Sequence, residues 1–136
     1  MKYIRQEDEM GCGVACVANL LGTSYNEALQ LFEFPENAKT KGFACKYIIL
    51  ALKRAGTEAK LRHISARKPR PKFLPGTIVF LVKSERYPSQ HYVLKAQEGW
   101  IDPWVNLVTN KDITQAEAGI RKRLPGKPYY AIVPEL

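Results

Sequence analysis

Long hydrophobic runs are missing from this 136-residue chain: the longest uninterrupted apolar stretch, Tyr47 to Leu52, has six residues against the roughly 20 that a membrane-spanning helix needs. The amino-terminal stretch Met1 to Glu9 has neither an apolar core nor a small-residue cleavage site, which argues against a secretory signal and predicts a cytoplasmic protein with no membrane anchor. Cysteine is scarce and odd in number. Cys12, Cys16 and Cys45 do not suit a disulfide framework, and at least one thiol is expected to stay free. Histidine is scarcer still: His63 and His91 lie on different segments, so nothing completes four ligands around Cys12 and Cys16, and neither a metal nor another cofactor is expected. Acid is in deficit, 13 residues against 21 Lys and Arg, for a net charge of +8. There is no internal repeat and no low-complexity tail. A chain of this length reads as one domain, residues 1–136, able to bury about two-thirds of the surface its unfolded form exposes.

What is present is ordered helix-first, strand-later. Val14, Ala15, Val17, Ala18, Leu20 and Leu21 make a small, apolar run closed by Gly22, which predicts a buried helix with a glycine stop that Cys12 would open. Ser24 to Glu27 reads as a capping box for a short helix through Phe32, stopped by Pro35. Phe43 to Ala55 carries apolar Phe43, Tyr47, Leu50 and Ala51, with Lys46, Lys53 and Arg54 left for water, and ends at Gly56. Strand-like segments follow at Glu58 to Ile64, Thr77 to Lys83, Tyr92 to Ala96, Trp100 to Leu107 and Tyr129 to Val133. A second capping box, Thr114 to Glu117, predicts a helix ending near Arg123, where Arg121-Lys122-Arg123 would face the helix dipole. Helices followed by strands predict an α+β fold with helices packed on an antiparallel sheet.

Chemistry concentrates on four residues. A thiol has a free pKa of about 8.5 and becomes a nucleophile with help from a helix N-terminus or an imidazolium. Cys12, at the start of a helix, has the first. The second would come from His91, which opens a period-2 stretch; a Gln97-Glu98-Gly99 turn then leads to Trp100-Ile101-Asp102-Pro103. With a loop at Lys95 to Glu98, Leu94 faces Gly99 and His91 faces Asp102, whose carboxylate would orient the ring. Gln6, six residues before Cys12, is placed to donate an uncharged N–H to an oxyanion, together with the Cys12 backbone N–H. His63 is the competing base, but it sits in a basic strip with no carboxylate beside it in sequence.

Gln6, Cys12-Gly13, His91-Tyr92-Val93 and Asp102-Pro103 resemble the pattern of the bacteriocin-processing papain-like cysteine peptidases, which remove double-glycine leader peptides. The resemblance extends over nearly the whole chain. Thr40-Lys41-Gly42 and the run to Gly56 resemble that family's second helical segment, and Leu74 to Val79 the strand before its histidine. Gly11 stands where an acidic residue is usual, and Val14 where proline is frequent. The resemblance implies a papain-like fold, with Cys12 as nucleophile, His91 as general base, Asp102 as orienting carboxylate and Gln6 as oxyanion donor. It also implies hydrolysis of a peptide or protein substrate after a glycine pair, without a cofactor. The same apparatus would serve deamidation or acyl transfer to an amine.

The alternative lies in charge. Lys60, Arg62, Arg67, Lys68, Arg70 and Lys72 follow one another without an acid between them. A non-catalytic or effector-type domain would use such a surface for nucleic acid or an acidic protein partner. Against nucleic acid, Phe73 is the only aromatic adjoining the strip, and no binding motif accompanies it. Pro69 and Pro71 equally suit an extended, solvated loop. The sequence is silent on oligomeric state.

Overall fold

A computed structural model describes residues 2–135. Three α-helices, α1 (Cys12–Leu21), α2 (Tyr25–Leu29) and α3 (Cys45–Arg54), precede six strands: β1 (Ala59–His63), β2 (Ile78–Leu81), β3 (His91–Lys95), β4 (Trp100–Asp102), β5 (Gly119–Arg121) and β6 (Pro128–Pro134). The strands form one sheet in the order β1-β6-β2-β3-β4-β5, with every pair antiparallel. Helices packed on an antiparallel sheet are the α+β arrangement the sequence predicts.

The helices form for the reasons their sequences give. Helix α1 is buried from Cys12 through Ala18 and ends at Gly22. Glycine holds φ 71° there and sends its N–H back to the Ala18 carbonyl, a left-handed stop that a Cβ would strain. The Ser24–Glu27 capping box forms in both directions, although α2 stops at Leu29 rather than running to Phe32. Helix α3 turns a different face inward from the one expected. Cys45, Ile48, Ala51 and Leu52 are buried, whereas Tyr47 and Leu50 are half-buried. Phe43 lies before the helix, its ring 4.5 Å from that of Phe32.

The two faces of the sheet have separate cores. Ile78, Tyr92, Leu94, Ile101 and Ile132 pack against the helices. Val79, Leu81, Val93, Trp100 and Ala131 point the other way, beneath Ile64 and Tyr87 from the connecting loops.

The carboxy-terminal third departs most from expectation. The segment expected to be a strand through Leu107 ends at Asp102. Pro103 brings no N–H to a ladder, and the Asp102 carboxylate accepts the Trp104 N–H at 3.0 Å, which turns the chain. The expected helix from Thr114 is one 3₁₀ turn, Ile113–Gln115. Asp112 caps it, accepting from the Thr114 N–H at 3.0 Å and its hydroxyl at 2.8 Å. Residues 119–121 then pair with β4, so that Arg121 sits in a strand rather than in a last helical turn.

Candidate active site

The sheet and α1 bring the four predicted residues together. Cys12 opens α1, which packs on β3, and His91 is the first residue of β3. The Cys12 thiol donates a long bond to the Gln90 carbonyl, 3.8 Å away. His91 Nε2 lies 2.8 Å from Asp102 Oδ1, which leaves Nδ1 as the ring nitrogen available to the thiol. His91 and Asp102 are 3% and 0% exposed, so their ion pair is shielded from solvent.

The register that produces this pair is not the expected one. Leu94 pairs with Ile101 and Lys95 with Trp100, two residues away from the predicted alignment, so His91 and Asp102 are not directly opposite. Because side chains alternate faces with a period of two, a slip of two leaves both on one face as diagonal neighbours. The expected contact survives the wrong register.

Gln6 is placed by its own backbone, whose N–H donates to the Pro103 carbonyl at 3.2 Å and so ties the residue to the turn after Asp102. Its side chain is 2% exposed. Nε2 donates to the carbonyls of Asp8 at 3.1 Å and Glu9 at 3.0 Å, while Oε1 has no partner among the described residues. The amide expected to serve an oxyanion is thus engaged with its own loop. The glycine before the nucleophile also has a local reason. A Cβ on Gly11 would overlap the Tyr25 hydroxyl, which donates to Asp8 Oδ2 at 2.8 Å.

Burial draws the His91 pKa down, but the bond to Asp102 and the neighbouring Cys12 outweigh it and push it up to about 9, in favour of the imidazolium. Asp102 shows the reverse balance. Burial raises its pKa, and bonds to His91, Tyr87 and Arg121 hold it well below the usual carboxylate range. Cys16 and Cys45 are free and buried, and burial pushes both thiols up.

Two contributors escaped the sequence reading. The Tyr87 hydroxyl donates to Asp102 Oδ2 while its ring stacks on His91, centroids 3.9 Å apart and planes 8° from parallel. Arg121 Nε donates to Asp102 Oδ2 at 2.9 Å. Tyr87 lies in a loop, and Arg121 is visible only once residues 119–121 are known to be a strand beside β4. His63 is not part of the site. It stands exposed on β1, flanked by the rings of Tyr129 and Tyr130, and β6 and β2 lie between it and β3. A cleft of about 200 Å³ opens beside His91, with Gln6, Glu9, Met10, Gln90 and Lys111 among its walls. No group of three or more His, Cys, Asp or Glu placed to hold a metal occurs among the described residues, and no helix among them is long and apolar enough to cross a membrane.

The fold is shared with the peptidase domain of Streptococcus ComA, a bi-functional ABC transporter involved in a quorum-sensing pathway. The two superpose with a TM-score of 0.58 over 98% of this chain and 96% of that one, at 20% identity. No curated protein matches the chain. The sequence model of the peptidase C39 family matches residues 1–99, which include Gln6, Cys12 and His91. The chain therefore belongs to the peptidase C39 family, the bacteriocin-processing cysteine peptidases.

Proposed function

We propose that this cysteine peptidase works through a Cys12–His91–Asp102 triad and a thioester intermediate. The observation that carries the reading is the buried imidazole bonded through Nε2 to Asp102 at 2.8 Å, which leaves Nδ1 for Cys12, whose thiol lies 3.8 Å from the carbonyl of the preceding residue, Gln90. The Cys12 thiolate attacks the scissile carbonyl carbon, and the oxyanion is met by the Cys12 N–H, one of the unpaired donors at a helix start. The His91 imidazolium protonates the leaving amine as the C–N bond breaks, leaving a thioester on Cys12. Neutral His91 then takes a proton from water as it attacks the thioester, and the acid and the thiol are released. An amine in place of water gives acyl transfer, and a side-chain amide in place of the peptide gives deamidation.

Gln6 joins the oxyanion site when its amide exchanges the Asp8 or Glu9 carbonyl for the substrate oxygen. Family membership supports cleavage after a glycine pair, where no side chain has to be housed beside Cys12. The reaction needs no cofactor. Alkylation of the three cysteines as a function of pH, resolved by peptide mapping, tests the triad directly. Cys12 should label fast near neutrality and lose that advantage in His91→Ala, while Cys16 and Cys45 stay slow. Slow, His91-independent labelling of Cys12 would overturn the triad.

A second reading is favoured by one observation. Ser65, Lys68, Arg70 and Lys127 line a single concavity of about 250 Å³ that has no acid in its wall. An anionic partner, nucleic acid or acidic protein, would fit there without involving the thiol. A gel shift with short DNA at several salt concentrations checks it: several phosphate contacts give a steep salt slope, and no shift at low salt removes the nucleic-acid form of this reading.

A further inference from the structure

His91 is only one of four groups that hold Asp102. Oδ1 accepts from His91 Nε2 at 2.8 Å and from the Trp104 N–H at 3.0 Å. Oδ2 accepts from Arg121 Nε at 2.9 Å and from the Tyr87 hydroxyl. All four are donors, two to each oxygen, so the carboxylate is saturated and held from both oxygens.

The charges give this arrangement its consequence. In the active form Cys12 carries −1, His91 +1 and Asp102 −1, so three groups alone would sum to one unbalanced negative charge in a buried site. Arg121 is the fourth member and brings the sum to zero. With the guanidinium on Oδ2, Asp102 stays ionised without drawing wholly on the imidazolium, and the positive charge of His91 remains available to Cys12. Tyr87 constrains a different variable. Its ring lies flat on the imidazole at 3.9 Å, and its hydroxyl ends on the carboxylate that His91 also bonds, so the imidazole cannot rotate about Cβ–Cγ without giving up stack and hydrogen bond together. Tyr87 is itself fixed: its N–H donates to Ser84 Oγ at 3.2 Å and its carbonyl accepts the Ser84 N–H at 2.9 Å. The residues that follow, Pro88, Ser89 and Gln90, form part of the cleft wall, so one short loop both borders the substrate and sets the plane of the base.

We propose that Tyr87 and Arg121 are positioning residues of this peptidase, Tyr87 fixing the plane of His91 and Arg121 balancing the charge of Asp102. This rests on the Cys12–His91–Asp102 reading. The ionisable groups around His91 are Cys12 and Cys16 of α1, Asp102 of β4, Tyr87 of the preceding loop and Arg121 of β5 behind the carboxylate, with Glu9 and Lys111 on the open cleft side. The signs follow from them. Removing the Arg121 charge takes a cation away from the imidazolium, and removing the Tyr87 hydroxyl leaves Asp102 a stronger acceptor for it. Both changes favour protonated His91 and move its titration to higher pH.

The test uses the whole chain and iodoacetamide as the probe of Cys12. The His91 titration, followed by NMR of the ring, and the pH profile of Cys12 alkylation are measured in wild type, Tyr87→Phe, Tyr87→Leu, Arg121→Gln and Arg121→Lys. Expected are an upward move of the His91 midpoint by about one unit in Arg121→Gln, a smaller upward move in Tyr87→Phe, near wild-type behaviour in Arg121→Lys, and the largest fall in alkylation rate in Tyr87→Leu, which loses stack and hydroxyl together. Folded variants whose His91 midpoint does not move would reduce both residues to packing and overturn the proposal. If Arg121→Gln does not fold, Tyr87→Phe decides by the same criterion. A wild type in which Cys12 labelling ignores His91 would be the separate failure of the triad and would take this proposal with it.

Discussion

The two faces of strand β3 are built on opposite principles. Tyr92 and Leu94 face the helices in an apolar core with Ile78, Ile101 and Ile132, where each buried side chain adds stability on its own account. On the other face His91 meets Asp102, Tyr87 and Arg121, where each buried charge is costly without its partners. One strand thus carries a surplus of stability on one side and a demand for it on the other. His91 is held because its neighbours along β3, Tyr92 and Leu94, are anchored in the helix-side core.

The largest expected effect is on activity and falls at Cys12, which α1 brings to His91 from the helix side of the sheet. Cys12→Ala should reduce cleavage of a glycine-pair peptide by roughly 10⁴-fold or more, while its urea midpoint changes only by the loss of one buried sulfur from the helix-side core. His91→Ala should come close to it, because members of a catalytic unit are not additive. Cleavage surviving in both would break the comparison at its root. The mirror experiment is on the apolar face. Ile78 is fully buried between Leu94 of β3 and Ile132 of β6, and Ile78→Ala should cost about 2–5 kcal/mol of stability by urea unfolding. Below its melting point that variant should keep the wild-type pH profile of Cys12 alkylation. A loss of thiol reactivity while it is still folded would show that the two faces are not independent.

A third prediction uses the pH dependence of stability, to which the charged face contributes through His91 and Asp102. His91 is raised in the folded protein to about 9, so its contribution is fully present below its unfolded pKa near 6.5 and is lost as pH rises through about 9. The shift corresponds to something on the order of 3 kcal/mol. Asp102 is depressed, and its contribution is present above the unfolded value near 3.9 and is lost as pH falls below it. Urea midpoints should therefore be highest between about pH 4 and 6.5 and decline toward pH 9 in wild type, with a much weaker alkaline decline in His91→Ala. An identical decline in the two proteins would place the titrating group elsewhere. Gln6→Ala sharpens the picture within the site. Loss of one oxyanion donor costs roughly 10²-fold in kcat with little change in KM, and if the amide does no more than brace the Asp8–Glu9 turn, kcat should follow stability instead.

How much of this was legible in the sequence follows the same division. Helix α1 announces itself through its small apolar run and Gly22, because local propensity and burial there demand the same thing. Order and offsets singled out Gln6, Cys12, His91 and Asp102 as the candidate site, and the His91–Asp102 contact survived a two-residue error of register because alternation preserves the face. Tyr87 and Arg121 were not legible. Tyr87 reaches the site from a loop whose path no periodicity dictates. Arg121 carried a competing local signal, the Thr114 capping box, which lost to pairing of Gly119–Arg121 with β4, a long-range contact that short windows of sequence do not contain. Helix α3 shows a milder version, its inward face set by where α1 and β1 lie rather than by the strongest apolar spacing.

The smallest expected effect completes the comparison by moving the same kind of ion pair into water. Lys60 Nζ and Glu135 Oε1 are 3.0 Å apart, but their side chains are 80% and 47% exposed, against 4% and 0% for His91 and Asp102 at 2.8 Å. Distance alone would rank the two pairs together. Solvent separates them: an exposed pair is screened, gives up side-chain freedom to form, and contributes about 0–1 kcal/mol. A double-mutant cycle of Lys60→Ala and Glu135→Ala should therefore give a coupling below about 1 kcal/mol that fades in high salt, with Cys12 alkylation unaffected. A large, salt-insensitive coupling would mean that the β1–β6 edge depends on its ions as His91 and Asp102 do, and burial would no longer be what distinguishes the two regions.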